Sequence, residues 1–303
     1  MRGYGIVRMK ISEIISGSAR PFPSLEIVPP SGGMTLGALL DRVEPLMEFS
    51  PRYINVTRHR EAYGSATRMG QKEVCLAVRD RFGVEVVPHI LCAGVTKEQI
   101  RGELDDFKDN GIENVLALRG DCLLGEKRFV PDPQGYSYAS ELVEGIREYR
   151  REEGRVYCIG VGGYPEKHFE APNIETDVLN LKKKVDAGAD YVITQMFFDN
   201  AKYYDFVSRC RQAGITVPII PGIKPLSSSR QLSLLPQTFS IDIPYALSSE
   251  VERAGDDEER IYRLGVEWCV EQCRDLLRNG IPAIHFYTMG RMSNIAEILK
   301  ACF

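Results

Sequence analysis

Four times in this chain a glycine ends a helix-like stretch and a β-rich run follows at once: DNGIENV, DAGADYV, QAGITVP and RNGIPAI. Glycine supplies the left-handed backbone that caps a helix C-terminus, so each segment reads as helix, stop, strand. Hydrophobic periodicity extends the same alternation over nearly all 303 residues. Strands are expected at Ser24–Val28, Tyr53–Thr57, Glu85–Ile90, Asn114–Leu118, Val156–Val161, Tyr191–Gln195, Val217–Ile220 and Ala283–Tyr287. Helices are expected at Thr35–Glu48, Ser65–Arg81, Lys97–Asn110, Tyr138–Glu153, Thr176–Ala187, Ala201–Ala213, Ser229–Leu235, Asp257–Asn279 and Ser293–Ala301.

No Pro/Gly/Ser-rich linker divides these units, which favours a closed parallel barrel over an open doubly wound sheet. The expected fold is α/β, a (β/α)8 TIM barrel forming one domain over residues 1–303, with residues 1–20 as an N-terminal extension. Two connections, Cys122–Ser137 and Pro225–Asp256, are long for a barrel, and long loops at one face often carry function.

A formal net charge of −4 gives no electrostatic footprint for nucleic acid or anionic lipid, so a small-molecule substrate is expected. The N-terminus lacks a signal-peptide core and no apolar run is long enough to span a bilayer, which predicts a soluble, cytoplasmic protein. The eight cysteines include no Cys-x-x-Cys pair and the four histidines show no ligand spacing, so no metal site is expected.

In a barrel enzyme the chemistry sits where the strands end. Those ends present Glu26, Thr57, His89, then Arg119-Gly120-Asp121, then Tyr164 with Glu166 and His168, then Gln195, and finally Tyr287 followed by Arg291. Glu26 is the sharpest case, because it interrupts the apolar run SLEIVPP. A carboxylate on a core face must be neutral or paired, whereas one on an edge strand is simply solvated. Side-chain alternation puts Ser24, Glu26 and Val28 on one face and Leu25 and Ile27 on the other. A closed barrel has no edge, so Glu26 is expected to face its mouth.

In the helix Thr176–Ala187, the residues Asp177, Asn180, Lys183 and Lys184 fall at spacings that share one broad face. That face is either solvated or a diphosphate holder. The glycines of IGVGGYP lack the dinucleotide-binding fingerprint and read better as a strand end and turn.

SLEIVPP, VTRH, PHILC, LALRGD, YSYAS, YPEKH, NLKKKVDAGADYVITQMFFD, PGIKP and HFYTMGR occur in this order over about residues 22–295. Together they resemble the methylenetetrahydrofolate reductase family, in its bacterial, single-domain form. The resemblance implies a flavoprotein barrel in which FAD takes hydride from NADH or NADPH and passes it to 5,10-methylenetetrahydrofolate, by ping-pong kinetics. It implies Glu26 as the general acid, whose carboxyl must hold a proton near neutral pH. Asp121 would lie beside flavin and folate and tune both. Gln195, Tyr287 and Arg291 would contact substrate. Thr57, His89, Arg119, Gly120, Asp121, Tyr138, Ala139, Tyr164, His168, Asp177, Asn180, Lys183 and Lys184 match FAD-contacting positions. A homo-oligomer is also expected.

Three positions depart from the family pattern: Arg58-His59 replaces an aromatic and a small residue, Lys183 an arginine, and Ser229 a stacking aromatic. The chain ends shortly after the eighth unit, so the regulatory domain of eukaryotic members is not expected. Two rival readings remain: a Schiff-base or other flavin barrel enzyme, with Lys224 of PGIKP as the candidate amine, and a non-catalytic barrel subunit of a folate complex.

Overall fold

The structure is a computed structural model that describes residues 8–58, 70–120, 129–149, 151 and 156–303. Eight strands pair in parallel and in chain order: β1 (Phe22–Ile27), β2 (Tyr53–Val56), β3 (Glu85–Leu91), β4 (Asn114–Leu118), β5 (Cys158–Gly163), β6 (Tyr191–Met196), β7 (Ile219–Ile223) and β8 (Ala283–Tyr287). Strand β8 returns to β1, with Phe22 opposite Ala283 and Glu26 opposite Tyr287, and closes the expected TIM barrel. The helices described are α1 (Ile11–Gly17), α2 (Leu36–Val43), α3 (Gln71–Phe82), α4 (Lys97–Asp109), α5 (Ala139–Glu148), α6 (Ile174–Asp186), α7 (Asn200–Gln212), α8 (Gln231–Phe239), α9 (Tyr245–Ala254), α10 (Glu258–Arg278) and α11 (Ser293–Cys302).

Both faces of every strand are buried, and alternation decides what each face meets. Leu25, Ile27, Val56, Val115, Val161 and Phe286 point outward into the helix layer. Phe22, Tyr53, Val87, Leu116, Tyr191 and Ile220 fill the barrel interior. Each buried Leu, Ile or Phe contributes about 1.5–3 kcal/mol relative to exposure, so the register of β1 is fixed by Leu25 and Ile27, and Glu26 must turn inward.

Helix α1 closes the N-terminal end of the barrel. Its residues Ile11, Ile14 and Ile15 lie on one face and pack against the interior set of Phe22, Tyr53, Leu116 and Ile220. Its entry is pinned by polar contacts. Ile11 N donates to Asn114 Oδ1 at 2.9 Å, Asn114 Nδ2 donates to Met9 O at 3.0 Å, and Met9 N donates to Glu85 Oε1 at 2.8 Å. Seven residues are too few for a periodic signal, so α1 carries none in the sequence.

Strands β5 and β7 sit two to three residues further along than expected. Gly162 and Gly163 belong to β5 and not to a turn: a Cβ on Gly163 would lie 2.8 Å from Val192 and 3.0 Å from the Phe206 ring. The helix expected from Ser65 is described from Gln71, its first residues lying outside the described set. The stretch Pro225–Asp256 holds α8 and α9, whose apolar residues Leu235, Leu247 and Val251 pack with Met196 and Phe198. Asp242 N, between these helices, donates to Glu166 Oε2 at 2.6 Å. The other oxygen of Glu166 is buried without a partner. Burial, with the Asp242 and Asp199 charges adding to it, pushes the Glu166 carboxyl up to about 7, against the Asp242 N–H bond and Lys202.

Truncating Ile11 to Ala should cost about 2–4 kcal/mol through lost burial and a cavity at the barrel floor, measurable as a lower urea midpoint. Glu166 makes a pH-dependent contribution of the opposite sign to a paired carboxylate. Its folded form holds the proton more tightly than the unfolded chain, so stability declines as pH rises from the ordinary carboxylate range toward about 7. Urea midpoints across that window should flatten in Glu166→Gln; an unchanged slope would exclude Glu166 as its source.

Candidate active site

Two clusters form at the C-terminal ends of the strands. One lies on the barrel axis. Glu26, with its side chain 14% exposed, places Oε2 3.5 Å from His89 Nε2 and 4.0 Å from His285 Nε2. His285 is fully buried, and its Nδ1 meets Ser24 Oγ at 2.9 Å, two residues below Glu26 on the same inward face. Tyr53 stacks on the His285 ring. Asn55, paired in register with Glu26, is buried with neither side-chain polar atom partnered. A carboxyl group thus sits at the mouth between two imidazoles, over a polar column inside an otherwise apolar barrel.

The second cluster is a cleft of about 460 Å³ between the ends of β4 and β5 and the helix α6. It gathers nine expected cofactor residues: Arg119, Tyr138, Ala139, Tyr164, His168, Asp177, Asn180, Lys183 and Lys184. Helix α6 is capped by Asn173, whose Oδ1 accepts from Thr176 N at 2.8 Å, and this cap sets the face that meets the cleft. Asp177 Oδ2 accepts from His168 N at 3.0 Å, which ties the YPEKH segment to the helix. Lys184 donates to Gly162 O and lies 5.7 Å from the centre of the Tyr164 ring. Burial holds the Lys184 ammonium down to about 8 despite the Asp177 charge, and burial likewise raises Asp177. Arg119 pairs with Glu170 at 2.5 Å and stacks over Phe129.

Three cations therefore converge on one cleft, and one of them is held partly desolvated. This donor set fits an anionic dinucleotide better than a solvated helix face. Thr57 is not among the residues that line the cleft: its N donates to Ile27 O at 3.0 Å, and its hydroxyl is buried and unpartnered. Gly120 has φ +84°, and a Cβ there would come within 3.0 Å of Ala93, so the turn after β4 requires glycine. Asp121 and His59 lie outside the described residues.

The expected substrate residues are more dispersed. Gln195 sits at an irregularity between β6 and β7, its Oε1 accepting from Met196 N at 2.9 Å. Tyr287 lies next to Glu26 in register, but its hydroxyl donates to Thr194 O at 2.7 Å and so braces the backbone. Burial and the Glu26 charge both raise the Tyr287 phenol. Arg291 is on the turn after β8, with Nη1 3.4 Å from Ser227 O. Sequence reasoning missed Ser24, Asn55 and His285; each shares the inward parity of Glu26, Thr57 or Tyr287, and that alternation was the available signal.

The chain has clear relatives. A family model described as methylenetetrahydrofolate reductase matches residues 10–302. The 5,10-methylenetetrahydrofolate reductase of Escherichia coli (strain K12) is 35% identical, covering 88% of this chain and 86% of that protein. A probable methylenetetrahydrofolate reductase (NADPH) of Caenorhabditis elegans is 34% identical over 98% of this chain but 44% of its own length, and methylenetetrahydrofolate reductase (NADH) 1 of Arabidopsis thaliana is 34% identical over 88% and 45%. The chain spans about half the length of such eukaryotic relatives. Among solved structures, a Clostridium thermocellum protein that binds two copies of 5-methyl-5,6,7,8-tetrahydrofolic acid matches with a TM-score of 0.62 at 16% identity, over 96% of this chain and 98% of that one, a likeness of fold. Because the family match runs through β1, the cleft and β8 alike, the chain belongs to the methylenetetrahydrofolate reductase family.

Proposed function

We propose that this protein reduces 5,10-methylenetetrahydrofolate to 5-methyltetrahydrofolate with NADH or NADPH as donor, using bound FAD. The observation that carries the reading is the placement of Glu26 at the barrel mouth, facing His89 and His285, beside a cleft in which Arg119, Lys183 and Lys184 converge.

Opening the five-membered ring of the substrate requires a proton at the departing nitrogen. Glu26 is the group assigned to deliver it. Its side chain is largely shielded from water, with His89 Nε2 at 3.5 Å and His285 Nε2 at 4.0 Å, and Ser24 Oγ holds the other nitrogen of the His285 ring. Tyr287 and Thr288 fix the strand that carries it, since Thr288 Oγ1 donates to Glu26 O at 2.7 Å. Arg119, Lys183 and Lys184 would neutralise the phosphates of FAD, while Thr57 and His89 would meet its other end and Tyr138, Ala139, Tyr164, His168, Asp177 and Asn180 would line its path. Asp121, after Gly120, is assigned to tune flavin and pterin. Gln195 and Arg291 are assigned to the folate. When bound, FAD supplies a hydride relay that the two substrates use in turn, which gives ping-pong kinetics.

Purified protein should be yellow, or become so with added FAD, and should oxidise NAD(P)H with methylenetetrahydrofolate or menadione as acceptor. Colourless protein that stays inactive after FAD addition would overturn the assignment. In Glu26→Gln, stopped-flow reduction of the flavin by NAD(P)H should persist while the folate half-reaction falls by at least about a hundredfold, the scale of a lost general acid. Equal loss in both half-reactions would remove Glu26 from that role.

A further inference from the structure

The YPEKH segment that follows β5 and the α8–α9 block that follows β7 meet at Glu166. Glu166 lies between Tyr164 and His168, both of which line the α6 cleft. Its Oε2 accepts from Asp242 N at 2.6 Å, across 76 residues of chain. Asp242 is exposed, but its neighbour Ile241 is buried with Leu235, Leu247 and Val251 against Met196 and Phe198, next to Gln195 at the end of β6. Lys167, which follows Glu166, has φ +69°, a left-handed backbone that a residue with a side chain holds only where its surroundings impose it. One hydrogen bond therefore ties a constrained wall of the cleft to a block packed on the other side of β6.

The surroundings of this carboxyl suit one protonation state. Its Oε1 is buried without a partner. Asp242, from the α8–α9 connection, and Asp199, from the start of α7, bring like charge; Lys202 of α7 opposes them but lies 3.8 Å from Asp242, and Lys167 donates to Ala171 O at 3.1 Å. Ionised in place, Glu166 would be a buried charge with one backbone donor and two acidic neighbours, whereas the neutral acid keeps the Asp242 bond without that cost. Burial accordingly pushes the carboxyl up to about 7. Released into water it returns to the ordinary carboxylate range, so protons favour the contact. The contact is strongest below that range and loses ground as pH rises toward about 7.

We propose that Glu166 is a positioning residue: in its neutral form it latches the YPEKH segment, and with it Tyr164 and His168, to the α8–α9 block, and it lets go when it ionises. A latched segment fixes one wall of the α6 cleft, so the cleft grips its dinucleotide more firmly on the acid side of neutrality. That consequence rests on the FAD reading above; the latch itself does not.

Hydrogen exchange of the peptide that contains Asp242, expressed as protection over the intrinsic rate at each pH, reads the latch in the full chain without added ligand. In wild type that protection should fall about tenfold from about pH 5 to about pH 8, while protection of β3 stays level. Glu166→Gln, neutral at every pH and still an acceptor, should keep the acid-side protection throughout, and Glu166→Leu, which cannot accept, should lack it throughout. Should the leucine variant fold poorly, wild type against Glu166→Gln still decides. A wild-type profile that does not change with pH, a fall shared by β3, or a glutamine variant that tracks wild type would overturn the proposal. The FAD dissociation constant, read by flavin fluorescence, should weaken several-fold more over that pH span in wild type than in Glu166→Gln, a difference that cancels the titration of His168, Asp177 and Lys184 in the cleft. Equal pH profiles for FAD binding would overturn the link to the cleft. FAD that binds wild type at neither pH would sink the flavin reading, and the exchange profiles would still decide the latch.

Discussion

Everything at the mouth of this barrel depends on the burial of both faces of its strands. Leu25 and Ile27 are held in the helix layer, and that contact alone commits Ser24 and Glu26 to the interior. The same parity commits Asn55, His89, His285 and Tyr287. Turning Glu26 out by a one-residue slip would put its carboxylate into the apolar helix layer and two large aliphatic side chains into the polar column. The acid is thus positioned by its apolar neighbours more than by any bond of its own.

Opposite charges are handled differently on the two sides of the mouth. Beside α6, Arg119 has Glu170 and Lys184 has Asp177 nearby, so that cleft carries counter-charges of its own. Beside β7 and β8, Lys224 and Arg291 have, among the described residues, carbonyl oxygens only. An anionic ligand arriving at α6 must compete with resident carboxylates, which moderates its affinity, whereas one arriving at β7 meets uncompensated charge.

Much of this was legible beforehand, for physical reasons that differ from element to element. The strand and helix alternation was visible because each β–α unit carries its own periodicity and a glycine stop. The α6 face was visible because Asp177, Asn180, Lys183 and Lys184 recur at helical spacing, and the cleft does gather all four. Helix α1 was invisible: three isoleucines in seven residues suit several conformations, and only the open barrel end selects one. The extent of β5 was misjudged because Gly162 and Gly163 look like turn residues locally. The need for small size at Gly163 comes from Val192 and Phe206, far away in the chain. The pairing of Ser24 with His285 spans the whole domain and could not be read from either segment alone.

The floor formed by α1 has a consequence for synthesis on the ribosome. Its residues emerge before every strand of the barrel, yet the surface they cover is completed only when Ile220 and Ala283 have been made. Barrel closure likewise pairs Phe22 with Ala283. Through most of translation, then, Ile11, Ile14 and Ile15 have no native partner set, and a nearly finished but open sheet has two unpaired edges. The slow step of folding is expected to be this late joining of the two chain ends, with α1 docking as the barrel shuts.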